Sequence, residues 1–227
     1  MKDDKLLSRL QIHSTVKSHC RIIGCQQLAS ASKGDGLNLR FCRRHEDFYE
    51  RHGSYYKSSY TSAQITPYRE AAHKWLTLNQ DNPTVHRAIL NVKRLYSDAG
   101  QHIEAFRLTG LSPRDRAKAA WARLRVENID PLKPLAAWIA IELITIKDPQ
   151  SERKQHYKRV QAAKLIHRMA SGTHKTWHRT DRFGEVRAVT LHKYPRSRGK
   201  VLVHIGEQID AACELVISHH LCEIPTK

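Results

Sequence analysis

Between residues 66 and 172 apolar positions recur every three or four residues, the spacing of a buried helical face, and turn-forming residues interrupt the pattern at intervals. Thr66-Pro67 supplies a cap and a first-turn proline for a helix over 66–78. Asn82-Pro83 repeats the signal for a helix over 83–99, closed by Gly100. A short helix is predicted over 101–108, ending at Thr109-Gly110. Ser112-Pro113 starts the next, with Asp115 in its first turn and Ala117, Ala120, Trp121 and Leu124 along one face. Asp130-Pro131 opens a helix whose segment 135–146 (LAAWIAIELITI) is apolar almost all round, as the centre of a bundle requires. Pro149 or Ser151 starts a strongly basic helix that stops at Ser171-Gly172.

Past Gly172 the period changes. Residues 185–194 alternate, with Val186, Ala188, Thr190 and His192 on one side and Arg187, Val189, Leu191 and Lys193 on the other, which predicts a strand. Pro195-Arg196-Ser197-Arg198-Gly199 is turn chemistry, and residues 200–204 (KVLVH) read as the returning strand of a hairpin. A final amphipathic helix over 206–221 places Ile209, Cys213, Val216 and Ile217 toward the core. Around 106–113 the order helix, glycine turn, serine-capped helix fits a helix-turn-helix or an ordinary helical hairpin, and Arg116 stands where an apolar residue is expected.

Composition changes the picture through charge. The 227 residues carry 39 Lys and Arg against 22 Asp and Glu, a net +17, and 40% apolar residues suffice for a core. So large an excess repels itself and points to a polyanionic partner, where phosphates offset it and counterion release supplies affinity. Residues 168–200 hold nine basic residues and two acids, +7 in 33 positions. In the predicted hairpin Arg196 and Arg198 form the tip of a wing, with Lys175, Arg179, Arg187, Lys193 and Lys200 beside it. The preceding helix adds Arg153, Lys154, Lys158, Arg159 and Lys164. A second patch is Arg40, Arg43, Arg44 and Arg51. Segment 135–146 is too short to span a bilayer and contains Glu142, so no membrane is expected. The opening MKDDKLLSRLQIH lacks the apolar stretch of a signal peptide, which predicts a cytoplasmic, reducing setting.

In that setting the cysteines read as ligands. Cys20, Cys25, Cys42 and His45 follow the spacing C-x4-C-x16-C-x2-H, two close pairs that fold back to offer three thiolates and an imidazole as a tetrahedron. Cys42 and His45, three apart at the start of a helix predicted over 41–51, share one face. His19 is an alternative ligand. Four protein ligands make a closed, structural Zn2+ site, one per chain. Cys213 and Cys222 read as core and tail residues. Residues 54–62, rich in serine and tyrosine, read as a linker.

The runs Cys20-Arg21-Ile22-Ile23-Gly24-Cys25, Cys42-Arg43-Arg44-His45 and Phe48-Tyr49-Glu50-Arg51-His52-Gly53 resemble the small zinc-binding segment of phage-encoded HNH endonucleases and related mobile-element proteins. The resemblance covers about the first quarter of the chain, residues 19–53, with a longer loop over 26–41. It implies a zinc-stapled nucleic-acid module and does not carry the HNH catalytic motif.

The expected fold is therefore mainly α: a zinc-finger-like module and linker over 1–62, a helical bundle over 63–172, and a basic β-hairpin with a C-terminal helix packing on the bundle over 173–227, winged-helix-like in layout. The expected function is non-catalytic nucleic-acid binding, DNA favoured over RNA, as a regulatory or accessory protein of a phage or mobile element. Two alternatives stand beside it. One is an HNH-like metal-dependent endonuclease using His192 with His219 and His220 in a C-terminal ββα-like unit, whose ligand set lacks an asparagine after His192. The other is an RNA-binding ribonucleoprotein subunit, because backbone contacts do not choose between polymers.

Overall fold

The structure, a computed structural model, describes residues 19–29, 31–33, 36–38, 40–148, 154–170 and 172–225, with backbone alone at 31–33, 36–38 and 154. The chain divides into two compact units, Met1–Ser58 and Ser59–Lys227.

The first unit holds a short antiparallel pair, β1 (Ala31–Lys33) and β2 (Gly36–Asn38), with Ala31 opposite Asn38, followed by α1 (Arg43–His52). The helix starts two residues later than predicted because Cys42 is extended and serves as its N-cap. It stops at Gly53, whose left-handed φ of +75° lets its N–H reach the Tyr49 carbonyl at 2.7 Å. Glu46 in the first turn and Arg51 and His52 in the last complement the helix dipole. Its apolar core is small: Cys20, Ile22 and Cys42, with Cys25, Phe41 and Tyr55 against them. Tyr55, in the stretch read as linker, belongs to this core. Its ring stacks on Phe41 at 4.0 Å and on Tyr49 at 4.4 Å between centroids, and its hydroxyl donates to buried Glu46 at 3.1 Å.

The second unit is helical, with one projecting ribbon. Helix α2 (Ser62–Leu78) begins four residues before the predicted Thr66-Pro67 start. A capping box between Thr61 and Gln64 outcompetes that signal, and Pro67 sits within the helix. Helix α3 (Pro83–Ser97) is capped by Asn82, and α4 (Pro113–Val126) by Ser112, as their Asn-Pro and Ser-Pro pairs predict. The predicted helix over 101–108 is only a 3-10 turn at Ala105–Leu108, so the helix-turn-helix reading lacks its first helix. The amide of Ala105 donates instead to the Thr173 hydroxyl at 2.8 Å.

At the centre lies α5 (Leu132–Lys147), with thirteen of its sixteen residues buried. It packs on α2 and on α6 (Lys154–His167). Its one buried acid, Glu142, is held by Lys158 of α6 at 2.6 Å. Burial pushes the Glu142 carboxyl upward, and Lys158 opposes this. The start of the basic helix and Arg153 lie outside the described residues, as does the Lys154 side chain.

The C-terminal region departs most from expectation. Residues 200–204 are not a strand but the first turns of α7 (Lys200–His220), which packs on α3, α4, α5 and α6. Val201, Leu202, Ile205 and Ile209 are buried at helical spacing, and a three-residue apolar run at a segment's start cannot reveal that period. Gly206 makes the packing close: a Cβ there would lie 2.5 Å from the Arg159 carbonyl oxygen. The predicted strand exists as β4 (Val186–Lys193), but its partner is β3 (Thr173–Thr180), with Thr173 opposite Lys193 and Thr180 opposite Val186. The tip is the turn at 181–185, and Arg196 and Arg198 lie in the connection to α7. Asp181 organises the tip by accepting from the amides of Phe183 and Glu185 at 2.9 and 3.1 Å. Among the described residues no helix is long and apolar enough to cross a membrane.

Candidate metal centre and charged surfaces

Local structure brings the four candidate metal ligands together from two directions. The His19–Leu28 bridge and the Cys20 amide, donating to the Gln27 carbonyl at 2.8 Å, close residues 19–28 into a small loop. Inside it the Cys25 amide donates to Ile22 at 2.9 Å across a turn whose third residue, Gly24, has φ +79°. Glycine adopts that angle without strain, as a type II turn demands. The turn sets Cys20 and Cys25 side by side, and α1 presents Cys42 from its N-cap and His45 one turn on.

The four ligand atoms all lie within 4.8 Å of one another. His45 Nδ1 is 3.3 Å from both Cys20 Sγ and Cys42 Sγ. A tetrahedron with metal–ligand bonds of about 2.0–2.3 Å has edges of about 3.6–3.8 Å, so small adjustments would seat an ion. His19 is outside the group and exposed.

The protonation of the sulfurs supports the same fit. Burial opposes charge on Cys20 and Cys42. At Cys42 burial and the neighbouring Cys20 together push the thiol up; at Cys20 burial is outweighed by the sum of hydrogen bonds from the backbone of Cys42 and Ile22 and from the side chains of Cys25 and Cys42, which hold it below its ordinary value. Three closely spaced sulfurs cannot all ionise beside one another without a cation, and a divalent ion removes that repulsion. Cys20, Cys25, Cys42 and His45 could thus hold a metal ion, with no ligand position left over.

The predicted basic residues are dispersed by the fold. Arg40, Arg43, Arg44 and Arg51 are exposed on the first unit, and Arg44 and Arg51, seven apart on α1, share a stripe. The expected continuous surface on α6 is not assembled from Lys158 and Arg159. Lys158 holds Glu142, and Arg159 pairs with Asp210 at 2.8 Å and Glu207 at 3.8 Å. Lys175 pairs with Glu104, and Arg187 with Glu185 at 2.8 Å and Asp181 at 3.5 Å. Arg179, Lys193, Arg196, Arg198 and Lys200 are exposed and have no ion-pair partner among the described residues.

Register sorts the ribbon into two unlike faces. Residues paired across an antiparallel ladder share a face, so Lys175, Trp177, Arg179, Arg187, Val189, Leu191 and Lys193 stand on one side. His174, Thr176, His178, Thr180, Val186, Ala188, Thr190 and His192 stand on the other. Nearly every residue of the ribbon is exposed, including Trp177 at 45%. Phe183 projects from the tip at 76% exposure, with the Arg182 guanidinium 4.8 Å from its ring. Trp177 and Phe183 were absent from the sequence-based candidates. An aromatic in the polar run THKTWHRT is a signal that could have singled out Trp177.

The residues of the nuclease alternative are not brought together. His192 Nδ1 lies 2.6 Å from His174 Nδ1 on the ribbon. His219 and His220 close the far end of α7, about 28 Å along its axis from Lys200, where His220 pairs with Glu223 at 3.0 Å. Compared with known proteins, the chain matches no family model, no curated protein and no solved structure.

Proposed function

We propose that the protein is a non-catalytic, zinc-containing nucleic-acid-binding protein that grips double-stranded DNA with the Trp177 face of its β-ribbon. The observation that carries this reading is the composition of that face: an exposed tryptophan among four cations, of which Arg179 and Lys193 have no ion-pair partner among the described residues, on a ribbon outside both apolar clusters. Trp177 stands outside both apolar clusters with nearly half its surface open to solvent, and aromatic–cation surfaces suit phosphates and bases. The dimensions agree. Eight residues per strand extend about 26 Å, and a two-stranded ribbon fits a major groove about 12 Å wide. The wing proposed here is the β3–β4 ribbon, not the hairpin over 185–204 that the sequence suggested.

Zinc is the ion that three thiolates and one imidazole in closed tetrahedral array favour. Its role is to hold the first unit folded, with Arg43, Arg44 and Arg51 on its surface. Two cationic units on one chain give bivalent attachment, each weak alone. The setting of a phage or mobile element, as a regulatory or accessory protein, rests on the resemblance of residues 19–53.

Three of the four tryptophans, Trp75, Trp121 and Trp138, are buried, so fluorescence quenching on adding duplex DNA reports Trp177. Quenching is expected, with affinity falling steeply with salt, and R179A/K193A should weaken binding about tenfold or more at low salt and flatten the salt slope by about two. Salt-independent binding, or none, would refute the reading. Preferential competition by structured RNA would shift it to the ribonucleoprotein alternative, and plasmid cleavage with magnesium or manganese, lost in His192→Ala, to the nuclease.

A further inference from the structure

Beneath the base of the ribbon lies a cavity of about 400 Å³, walled by α4, the end of α6 and the connection from β4 to α7. Arg123 of α4 lines it and is only 3% exposed, yet its Nε and Nη1 have no hydrogen-bond partner among the described residues. Arg116, seven residues earlier and so on the same helical face, also lines the cavity and has an unpartnered Nε. Arg116 stands where the sequence pattern calls for an apolar residue, and the cavity is what it meets. Lys193 and Arg196 close the mouth, and His167 forms part of the floor. In the adjoining space, also lined by Arg123, the hydroxyl of Ser197 is buried without a partner. No acidic residue lines either space among the described residues.

An arginine buried without a counter-charge is among the costliest arrangements in a protein interior, and such groups are otherwise found paired and hydrogen-bonded. Here the unpaired donors converge on one cavity wall and further cations surround them. We infer that this cavity is a binding site for a phosphoryl group, held by the guanidinium groups of Arg123 and Arg116 with Lys193 and Arg196 at its mouth. The planar fork of arginine matches tetrahedral oxyanions through paired N–H donors. A dianion answers several cations better than a carboxylate does. Burial brings Arg123 down to about 10, still charged at neutral pH. Burial, with Arg123 and Arg168 nearby, brings His167 down to about 3, so it stays neutral and offers a hydrogen bond without adding charge. The site stands on its own residues, whether or not the Trp177 face binds DNA. Lys193 is common to both, so a backbone phosphate and a free phosphorylated molecule share this chemistry.

The test is thermal unfolding of the full chain, titrated with sodium phosphate against sodium chloride and sodium acetate at matched ionic strength. The midpoint should rise by about 5 °C when phosphate reaches about a hundred times its dissociation constant, and acetate should do nothing. Arg123→Met should abolish the phosphate response and, in chloride, unfold no earlier than the parent, because it removes an uncompensated buried charge. If Arg123→Met does not fold, Arg116→Gln and Arg196→Ala carry the test, each at least halving the response. Superposed phosphate and chloride curves for the parent, or an undiminished response in these variants, would overturn the site. Phosphorus NMR of phosphate-loaded protein then identifies the source. Release of phosphate by a duplex oligonucleotide assigns the cavity to a backbone phosphate; retention while DNA binds assigns it to a free phosphorylated molecule. Phosphate binding without any DNA binding keeps the site and removes only the DNA reading.

Discussion

The two units solve the problem of staying folded in different ways. The second has a continuous apolar core in which Trp138, Leu135, Ile139 and Ile141 of α5 are fully covered by its neighbours. Among the described residues the apolar core of the first is Cys20, Ile22 and Cys42 alone, two of which are candidate metal ligands. A core that small cannot meet the conformational entropy of ordering its backbone, whereas a bound ion contributes on the order of 10 kcal/mol in units of this kind. The lesson is that one chain can carry an extensive apolar core in one unit and, in the other, a ligand cluster whose occupation by an ion would supply the stability that apolar area does not. Each should then fail to its own perturbation.

The largest expected effect is the loss of the first unit. Chelation, or Cys42→Ser, should open residues 19–55 to proteolysis and hydrogen exchange while residues 59–225 stay protected. Metal content should fall from about one ion per chain in the parent. Equal protection of both units after chelation would erase the distinction. Next in size is Leu202→Ala in α7, which leaves a cavity at a fully buried site and should cost about 3–5 kcal/mol in the second unit, read by denaturant unfolding, with metal content unchanged.

A smaller effect sharpens the second unit's own electrostatics. Glu142 has its folded pKa raised, so the native state holds that proton more tightly than the unfolded chain does. Its contribution to stability is full below the ordinary carboxylate pKa and is lost as pH rises through the raised value. Glu142→Gln should flatten the stability profile across that window, seen in unfolding curves between about pH 4 and 7. A parent profile that is flat there would contradict this assignment. Smallest of all is Trp177→Ala. Its side chain serves neither core, so stability should move by less than about 0.5 kcal/mol while DNA affinity falls.

What could be read in advance follows from range. The metal ligands were legible because ligand type and spacing are local properties, and Cys42 with His45 need only one helical turn to meet. The helices capped by Asn82 and Ser112 were legible for the same reason. Strand β3 was not, because a ribbon wetted on both faces leaves no alternation of apolar and polar residues to detect. Residues 200–204 were misassigned because their burial comes from α6 and the other helices around them, which the local run KVLVH does not mention. The cations of α6 looked like a surface until Glu142 and Asp210 arrived from α5 and α7 to pair with Lys158 and Arg159.

By itself the sequence determined the helical character of the second unit, the four candidate metal ligands and the excess of positive charge, all consequences of composition and near-neighbour spacing. Only the tertiary structure decided which cations remain unpaired among the described residues, that Trp177 stands among them in the open, and that Arg116 and Arg123 meet a cavity lined by no acid of those residues. Those outcomes depend on which distant residues arrive to neutralise or cover a group, and no local pattern encodes the absence of a partner.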